Sequence, residues 1–248
     1  MDSGSIHREL AGTYEKINPR VLEHYFSGKE LEILLIKPPF VVRCDGVGFS
    51  KKLTTYKYPR DELIHRVLIN AAKTVMETYR SAMALIISDE INYLFTHNIY
   101  GNRAVKISSV ISALTSSEVA RETGETLYFD GRVITVKPKE VIPYFLYRVR
   151  VGMNNYLSAL YHTQFRKRGK STPSFGEMFK RLEMEGYLRE SEAWAFAGTL
   201  LVWETYLKRG VDKRTGRIVW VKRRRVRELI PTAHNIIYSY IELLKRSG

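Results

Sequence analysis

An amphipathic helix is the clearest local pattern in the chain. Apolar residues recur every three or four positions from Ile64 to Tyr79, and Pro59 and Asp61 stand just before them. This spacing places side chains on one face of a helix, and Pro and Asp are favoured at a helix start. The pattern predicts a helix from about residue 61 to 79 that buries one face.

Short apolar runs on either side of this helix predict β-strands. The run 41–44 ends at Asp45, which predicts a buried strand with a carboxylate at its end. The runs 84–87 and 93–95 flank the polar stretch 88–92, and together they predict a hairpin with acidic residues at its tip.

The next elements complete a known order of strands and helices. A helix is predicted from about 103 to 117, and a strand follows at 132–136. The order β-α-β-β-α-β is the split βαβ, or ferredoxin-like, arrangement, in which the first strand and the hairpin are central neighbours. We therefore expect Asp45 to meet Asp89 and Glu90 at one end of the sheet.

The two parts of the chain differ in their predicted content. Residues 1–138 hold the βαββαβ core with an N-terminal extension. Residues 139–248 predict long helices, from 139 to 164 and beyond 191, with a basic hairpin inserted at about 207–227. The predicted fold class is α+β, with the two parts packed as one unit.

Positive charge is concentrated in this hairpin. The 248 residues include 40 Lys and Arg against 26 Asp and Glu, a formal net charge of +14. Between Leu207 and Arg227 there are ten Lys or Arg and one acid. Basic residues interleaved with aromatic ones favour nucleic-acid binding, because each neutralised phosphate releases a counterion. A solvated hairpin that only promotes solubility is the alternative that charge leaves open.

The candidate RNA-binding residues come from this hairpin and from a second basic cluster near 166–170. They are Arg166, Lys167, Arg168, Lys208, Arg209, Lys222, Arg223, Arg224 and Arg225.

Cysteine use and hydropathy predict a cytoplasmic protein. The single cysteine, Cys44, cannot form an intrachain disulfide, and the N-terminus lacks the apolar run of a signal peptide. No apolar stretch approaches the roughly 20 residues that span a bilayer. We therefore expect no membrane partner.

Carboxylates from separate strands indicate metal-dependent chemistry. Acids at a sheet edge can hold two Mg²⁺ ions about 4 Å apart for nucleotidyl transfer. Gly46, next to Asp45, would let the backbone turn toward a metal and a triphosphate approach closely. Taken singly, these acids are also typical of an ordinary turn and a polar hairpin tip; their predicted convergence favours the metal site.

Two predicted helices carry polar residues on one face. Arg103, Lys106 and Ser109 follow at steps of three near a helix start, where they suit a triphosphate tail or a 5′ phosphate, or simply a solvated face. The later helix has a polar stripe at steps of seven: Arg148, Asn155 and His162.

These residues make the chain resemble the tRNA-His guanylyltransferases and the related guanylyltransferase-like proteins, which add nucleotides in the 3′-to-5′ direction. The resemblance runs from about residue 30 to the C-terminus. Segment 42–50 is similar to the family signature R-x-D-G-x-x-F-x, and segment 88–95 is similar to S-D-E-x-x-x-x-F. Further matches are Arg103-x-x-Lys106-x-x-Ser109, 129–132, Asn154-Asn155 and 198–203.

The resemblance implies a polymerase-palm-like catalytic core and two Mg²⁺ ions. By position, Asp45, the Gly46 carbonyl and Asp89 would bind the metals, and Asp45, Asp89 and Glu90 would form the catalytic set. The implied nucleotide-binding residues are Asp45, Gly46, Val47, Gly48, Phe49, Ser50, Lys57, Ser88, Asp89, Arg103, Lys106, Ser109 and Asn155.

The implied chemistry has two stages. ATP adenylylates the tRNA 5′ monophosphate, and the 3′ hydroxyl of an incoming NTP then displaces AMP. The expected partners are therefore tRNA, ATP, GTP and other NTPs. The resemblance also implies a homo-oligomer, namely a tetramer.

Two departures from the family pattern change the expected specificity. The eukaryotic guanylyltransferases have the sequence H-I-N-N where this chain has G-M-N-N at residues 152–155, so Gly152 replaces the His. Arg150 replaces an acid two residues earlier. Both positions are associated with recognising tRNA-His. Their loss predicts template-directed repair or extension of tRNA 5′ ends. The alternatives are a non-templated tRNA-His guanylyltransferase, another palm-type nucleotidyltransferase or cyclase that condenses NTPs, and a non-catalytic RNA-binding scaffold.

Overall fold

A six-stranded sheet in which all neighbouring strands are antiparallel organises the chain, with strand order β4-β1-β3-β2-β5-β6. The structure, a computed structural model, describes residues 34–165, 172–189 and 192–247. The strands are β1 (Phe40–Gly46), β2 (Met83–Ile87), β3 (Glu90–Phe95), β4 (Phe129–Thr135), β5 (Thr199–Val211) and β6 (Ile218–Leu229).

Helices cover both faces of the sheet. They are α1 (Phe49–Lys52), α2 (Glu62–Tyr79), α3 (Ala104–Thr123), α4 (Val141–Phe165), α5 (Phe175–Met184), α6 (Ala193–Ala197) and α7 (Ala233–Ser247), with 3₁₀ turns at Tyr100–Asn102 and Pro138–Glu140. None of the described helices combines the length and the apolar character needed to cross a membrane.

The core lies in two layers because sheet side chains alternate between the faces. Val42 and Tyr93 point to one face, where they pack with α2 and α3. Val41 and Leu85 point to the other face, where they pack with α4 and α7. The two central strands β2 and β3 are buried along their whole length.

The predicted order β-α-β-β-α-β is present, and α2 matches its prediction closely. The Asp61 side chain accepts a hydrogen bond from the backbone N–H of Ile64 at 3.1 Å, which caps the helix as expected of an N-terminal Asp. The helix α3 runs six residues past its predicted end at 117, to Thr123, where Gly124 terminates it in a left-handed conformation.

Two sequence predictions about strands are wrong. Glu90 was expected at the hairpin tip, but the turn holds only Ser88 and Asp89, and Glu90 is the first residue of β3. Residues 199–206 were expected to be helical, but they form the first part of β5. That segment is a strand because it pairs with β2, in the register Met83 to Val202. The division of the chain into a catalytic core (1–138) and a helical, basic part (139–248) stays a prediction.

Candidate functional site

An acidic edge forms where β1 ends and the β2–β3 hairpin turns. Asp45 is paired with Glu90 in the antiparallel register, and the backbone N–H of Gly46 donates to the carbonyl of Asp89 at 3.0 Å. The structure therefore brings together the three acids that the sequence predicted to meet.

The electrostatics of this edge show an excess of negative charge around Asp45. Burial, followed by the nearby charges of Glu90 and Asp89, raises the pKa of the Asp45 carboxyl above its usual range, and Arg43 and Arg132 only partly offset the rise. The side chain is still 39% exposed, so that a ligand can reach it. A cation placed among these carboxylates would relieve their repulsion.

Glu90 occupies a different environment from the other two acids. Its side chain is 6% exposed, and both of its carboxylate oxygens accept hydrogen bonds from Arg148 on α4. The amide of Asn92 donates to the same carboxylate at 2.6 Å. Removing one partner from such a buried ion pair costs about 3–5 kcal/mol. Glu90 is thus held within the protein, and its predicted catalytic role stays a prediction.

The donor set at the edge fits a hard divalent cation. The carboxylates of Asp45 and Asp89, with the backbone carbonyl of Gly46, are oxygen ligands of the kind that Mg²⁺ prefers. Across the part of the chain that the structure describes, no group of three or more His, Cys, Asp or Glu side chains is arranged to hold a metal. A metal at this edge would therefore need backbone, substrate or water oxygens besides these two carboxylates.

A cleft of about 340 Å³ opens beside the acidic edge, between the loop before α2 and the middle of α4. Its size is that of a small-molecule site. Five residues that the sequence predicted to bind nucleotide lie on its wall: Phe49, Lys57, Ser88, Asp89 and Asn155.

Other residues of the cleft wall were missed by the sequence analysis. Arg60 donates to the Ser88 hydroxyl at 2.6 Å. His65 is buried, stacks on Trp194 and shares a hydrogen bond of 2.8 Å with the Thr199 hydroxyl. Burial, with the nearby charges of Arg66 and Arg60, lowers the pKa of His65 to about 4, which keeps the ring neutral near pH 7. The sequence signal that could have indicated Arg60 is its position directly before Asp61, the N-terminal cap of α2.

The segment after Asp45 is fixed in place by internal packing. Phe49 begins the short helix α1, and its ring is buried against Phe129 at a centroid distance of 5.1 Å. A Cβ at Gly46 would lie 2.6 Å from the Phe49 ring, so internal packing by itself requires glycine there. Val47 is exposed and Gly48 has a positive φ of 69°, while the side chain of Ser50 lies outside the described residues.

Arg103, the first of the predicted phosphate-binding residues near the start of α3, lies away from the acidic edge. Arg103 is the residue before α3, and its backbone forms an isolated β-bridge with Leu35, five residues before β1 begins. Ser112, farther along α3, lies at the level of Gly131, which pairs with Cys44. Arg103 is therefore about 14 Å below that level, at 1.5 Å per helical residue.

Lys106 and Ser109 follow Arg103 along the same helix. The Lys106 ammonium lies 5.3 Å from the centre of the Tyr100 ring, and the Ser109 hydroxyl donates to the Lys106 carbonyl of its own helix. The role of Arg103, Lys106 and Ser109 in nucleotide binding stays a prediction.

Gly152 and Arg150, the two departures from the family pattern, have structural explanations. A Cβ at Gly152 would lie 2.1 Å from Cγ1 of Ile87, the last residue of β2 before the Ser88–Asp89 turn. No side chain fits there unless the Ile87 side chain, β2 or α4 moves. Arg150 stacks its guanidinium over the Phe175 ring at 3.6 Å.

We expect Gly152→Ala to destabilise the protein even though alanine has the higher helix propensity. Overpacking of a well-packed core costs about 1–3 kcal/mol, which exceeds the gain of about 1 kcal/mol from propensity. Denaturant unfolding measures the difference. Gly176→Ala in α5 is the matched control, because no described atom lies within 4 Å of its Cβ position, and we expect it to be neutral or stabilising. A Gly152→Ala variant as stable as the wild type would show that Ile87 gives way.

The basic hairpin forms a two-stranded ribbon that extends beyond the sheet. β5 pairs with β2 only as far as Val202, but it pairs with β6 as far as Val211. The ribbon, residues 203–226, therefore reaches about 30 Å past β2 at 3.3 Å per residue. The predicted RNA-binding residues on it are all exposed: Lys208, Arg209, Lys222, Arg223, Arg224 and Arg225.

The two faces of the ribbon differ in chemistry. On the face shared with α2, Arg209 is paired across the strands with Trp220, which is 66% exposed, and Leu207 with Lys222. On the face shared with α4, Glu204 accepts hydrogen bonds from Arg225 and Arg227, so part of that positive charge is neutralised. We call these the α2-side face and the α4-side face.

The second cluster of predicted RNA-binding residues cannot be placed. Arg166, Lys167 and Arg168 lie outside the described residues.

An acidic sheet edge that adjoins a small-molecule cleft is compatible with nucleotidyl transfer. The family model for "Thg1: tRNAHis guanylyltransferase" matches residues 24–149, just over half of the 248 residues. The chain belongs to the tRNAHis guanylyltransferase (Thg1) family, and its members are nucleotidyltransferases. A search of curated protein sequences finds no match.

Solved structures with this fold include two of a bacterial tRNA(His) guanylyltransferase (Thg1)-like protein. The complex with ATP has 20% identity and a TM-score of 0.69, covering 89% of this chain and 96% of that one. The complex with GTP has 19% identity and a TM-score of 0.70, with 90% and 97% covered. The tRNA(His) guanylyltransferase from Saccharomyces cerevisiae has 20% identity and a TM-score of 0.60, with 71% and 90% covered.

Proposed function

We propose that this protein extends tRNA 5′ ends in the 3′-to-5′ direction, choosing each nucleotide by pairing with the opposite strand of the acceptor stem. The observation that carries the proposal is the meeting of Asp45 and Asp89 at one sheet edge beside the cleft, in a chain of the tRNAHis guanylyltransferase family. The ATP and GTP complexes of the bacterial relative support nucleotides as substrates.

The proposed cofactor is a pair of Mg²⁺ ions bound by Asp45, Asp89 and the Gly46 carbonyl. Bound there, they would lower the pKa of the attacking hydroxyl and neutralise the leaving pyrophosphate. The raised pKa of Asp45 supports this assignment, because burial and the nearby charges of Glu90 and Asp89 raise it and the neighbouring arginines only partly offset the rise.

Each proposed step breaks one bond to phosphorus and forms one. In the first step, a 5′-phosphate oxygen of the tRNA attacks the α-phosphorus of ATP, and pyrophosphate leaves. In the second, the 3′ hydroxyl of an NTP attacks the tRNA 5′-phosphorus, and AMP leaves. The cleft around Phe49 and Asn155 would hold the nucleotide, with its phosphates toward Asp89. We also propose that the βαββαβ core acts as a polymerase-palm-like catalytic core, as predicted from the sequence.

The site chemistry also favours templated over tRNA-His-specific addition. The position that carries His in the eukaryotic family members is Gly152, and Ile87 fills the space beside it. Arg150, in place of the acid, is stacked on Phe175. Neither position presents an imidazole or a carboxylate to the RNA, so base pairing is the remaining source of selection.

The direct test uses a tRNA that lacks its first nucleotide and carries a 5′ phosphate. We expect incorporation of labelled NTP when the protein, ATP and Mg²⁺ are all present. Condensation of NTPs without RNA would identify a small-molecule nucleotidyltransferase instead. Tight tRNA binding without incorporation would identify a non-catalytic scaffold.

The ribbon is the proposed tRNA-binding surface, and we expect its α2-side face to contribute more. On this face Arg209 and Lys222 stand beside exposed apolar and aromatic side chains, a combination that binds phosphates and stacks on bases. The double variant Arg209→Glu/Lys222→Glu should weaken tRNA binding roughly tenfold or more, and should lower the slope of log K against log salt by about 2.

The matched control reverses two charges on the α4-side face. Lys208→Glu/Arg223→Glu changes the net charge equally, and we expect a smaller loss of affinity in the same filter-binding titration. If neither variant changes the salt slope, the ribbon serves solubility only. Equal losses from both variants would contradict the assignment to one face.

The oligomeric state and compartment predicted from the sequence also stay proposals. A homo-oligomer, a tetramer by resemblance, is supported by apolar residues on α7 that are 38–49% exposed: Ile237, Ile241 and Leu244. The cytoplasm is the proposed compartment, and NTPs and tRNA are both available there.

A further inference from the structure

Arg60 is held in a fixed position beside the cleft. It precedes Asp61, whose carboxylate accepts hydrogen bonds from the backbone N–H groups of Lys57 at 3.0 Å and Ile64 at 3.1 Å. These bonds tie the backbone on both sides of Arg60 to the start of α2. The backbone of Arg60 is therefore held in place, although Arg60 lies in a connecting loop.

Two consecutive hydrogen bonds connect Arg60 to Asp89. Arg60 Nη1 donates to Ser88 Oγ at 2.6 Å, and Ser88 Oγ donates to Asp89 Oδ1 at 2.8 Å. A serine hydroxyl has a single hydrogen. Because Arg60 occupies a lone pair of the hydroxyl, that hydrogen is directed at Asp89.

The turn between β2 and β3 needs such an anchor. It contains only Ser88 and Asp89, and Ser88 adopts a positive φ of 61°, which is uncommon for a residue with a side chain. A strained conformation persists when surrounding contacts hold it. Arg60 contacts this turn from the loop before α2, 28 positions earlier in the chain.

The position of Arg60 is also unfavourable for its positive charge. Burial lowers the pKa of its guanidinium, while the nearby charge of Asp89 acts in the opposite direction. Its Nε is buried with no hydrogen-bond partner within the described part of the chain. Buried polar groups in proteins normally have a hydrogen-bond partner, so an unpaired donor on a buried arginine calls for an explanation. Arg60 thus lies beside the acidic edge with one unpaired hydrogen-bond donor.

We propose that Arg60 is a positioning residue, which orients the carboxylate of Asp89 through the hydroxyl of Ser88. The proposal rests on the proposed function, in which Asp89 binds Mg²⁺. Groups that orient a metal ligand through a hydrogen bond typically contribute 10- to 100-fold to metal affinity or activity. Arg60 belongs to neither the predicted catalytic set nor the predicted nucleotide-binding set.

A double-mutant cycle tests the relay. Arg60→Met and Ser88→Ala should each lower kcat for nucleotide addition by about 10- to 100-fold, and Arg60→Met should change the KM for the NTP little. The kcat of the double variant should be no lower than that of the less active single variant, because both changes break the same connection. Additive losses would overturn the proposal. So would a raised KM with unchanged kcat, which would mean that Arg60 contacts the nucleotide directly.

A second readout does not depend on activity. Binding of Mn²⁺ alone, followed by electron paramagnetic resonance, should weaken about tenfold in each variant and no further in the double variant. Arg66→Met is the matched control, because Arg66 lies on the first turns of α2 and pairs with Glu228 instead of Ser88. If Arg60→Met does not fold, Arg60→Lys replaces it, since lysine lacks the planar fork that reaches Ser88.

The two proposals fail in different ways. A wild-type protein that adds no nucleotide, but whose Mn²⁺ affinity depends on Arg60 and Ser88 together, overturns the proposed function and leaves the relay standing. An active wild type with unchanged Mn²⁺ affinity in Arg60→Met overturns the relay alone.

Discussion

Nucleotide addition is expected to fall by about a thousandfold or more when either Asp45 or Asp89 is replaced by alanine. Loss of one metal-binding carboxylate removes several kcal/mol of transition-state stabilisation, at about 1.4 kcal/mol for each factor of ten. Asp45 is 39% exposed, and Asp89 lies in a turn, so neither change leaves a large cavity in the core. We expect both variants to remain folded and to bind tRNA.

The measurement is incorporation of labelled nucleotide in Mg²⁺, with the melting temperature and tRNA affinity determined in parallel. Glu77→Ala removes an exposed carboxylate from α2 and is the matched control, with activity expected to stay at the wild-type level. Near wild-type turnover in either Asp45→Ala or Asp89→Ala would falsify the two-metal assignment.

The nucleotide that the enzyme adds is expected to follow the template. With a truncated tRNA other than tRNA-His, changing the base that faces the missing position from C to A should switch incorporation from G to U. The reason is that Gly152 and Arg150 offer no imidazole or acid to read a tRNA-His feature. An A-form stem is recognised by its shape, through phosphate and 2′-hydroxyl contacts. Selection then depends on the base pair formed at the acids.

Two observations check this expectation. Sequencing of the product should show that addition stops when the stem is complete, and a full-length tRNA should accept no further nucleotide. Addition of G whatever the facing base, or a strict requirement for the tRNA-His anticodon, would contradict templating and support the non-templated guanylyltransferase.

The sequence alone determined the elements whose signals are local. The helix α2 was predicted at 61–79 and is found at Glu62–Tyr79, because its apolar period and its Asp61 cap act within a few residues. The meeting of Asp45 with Asp89 was also predictable. Once the element order implies neighbouring strands, a strand end and a hairpin turn fall at the same edge of the sheet.

Tertiary packing decided the roles of individual acids and strands. Glu90 follows Asp89 directly, yet it is buried in an ion pair with Arg148, 58 positions away. Residues 199–206 contain an apolar run whose period does not separate helix from strand, and pairing with β2 makes it β5. In both cases the preference comes from a partner that is distant in the chain.

The cleft and its support were also decided only by the tertiary structure. Arg60 reaches Ser88, and Gly152 receives Ile87, across 28 and 65 positions of sequence respectively. Such contacts stabilise the protein only when both partners are already placed by their own elements, so no local pattern predicts them. Periodicity and capping residues specify a helix or a strand one element at a time, whereas a site depends on close approaches between elements that the fold has brought together.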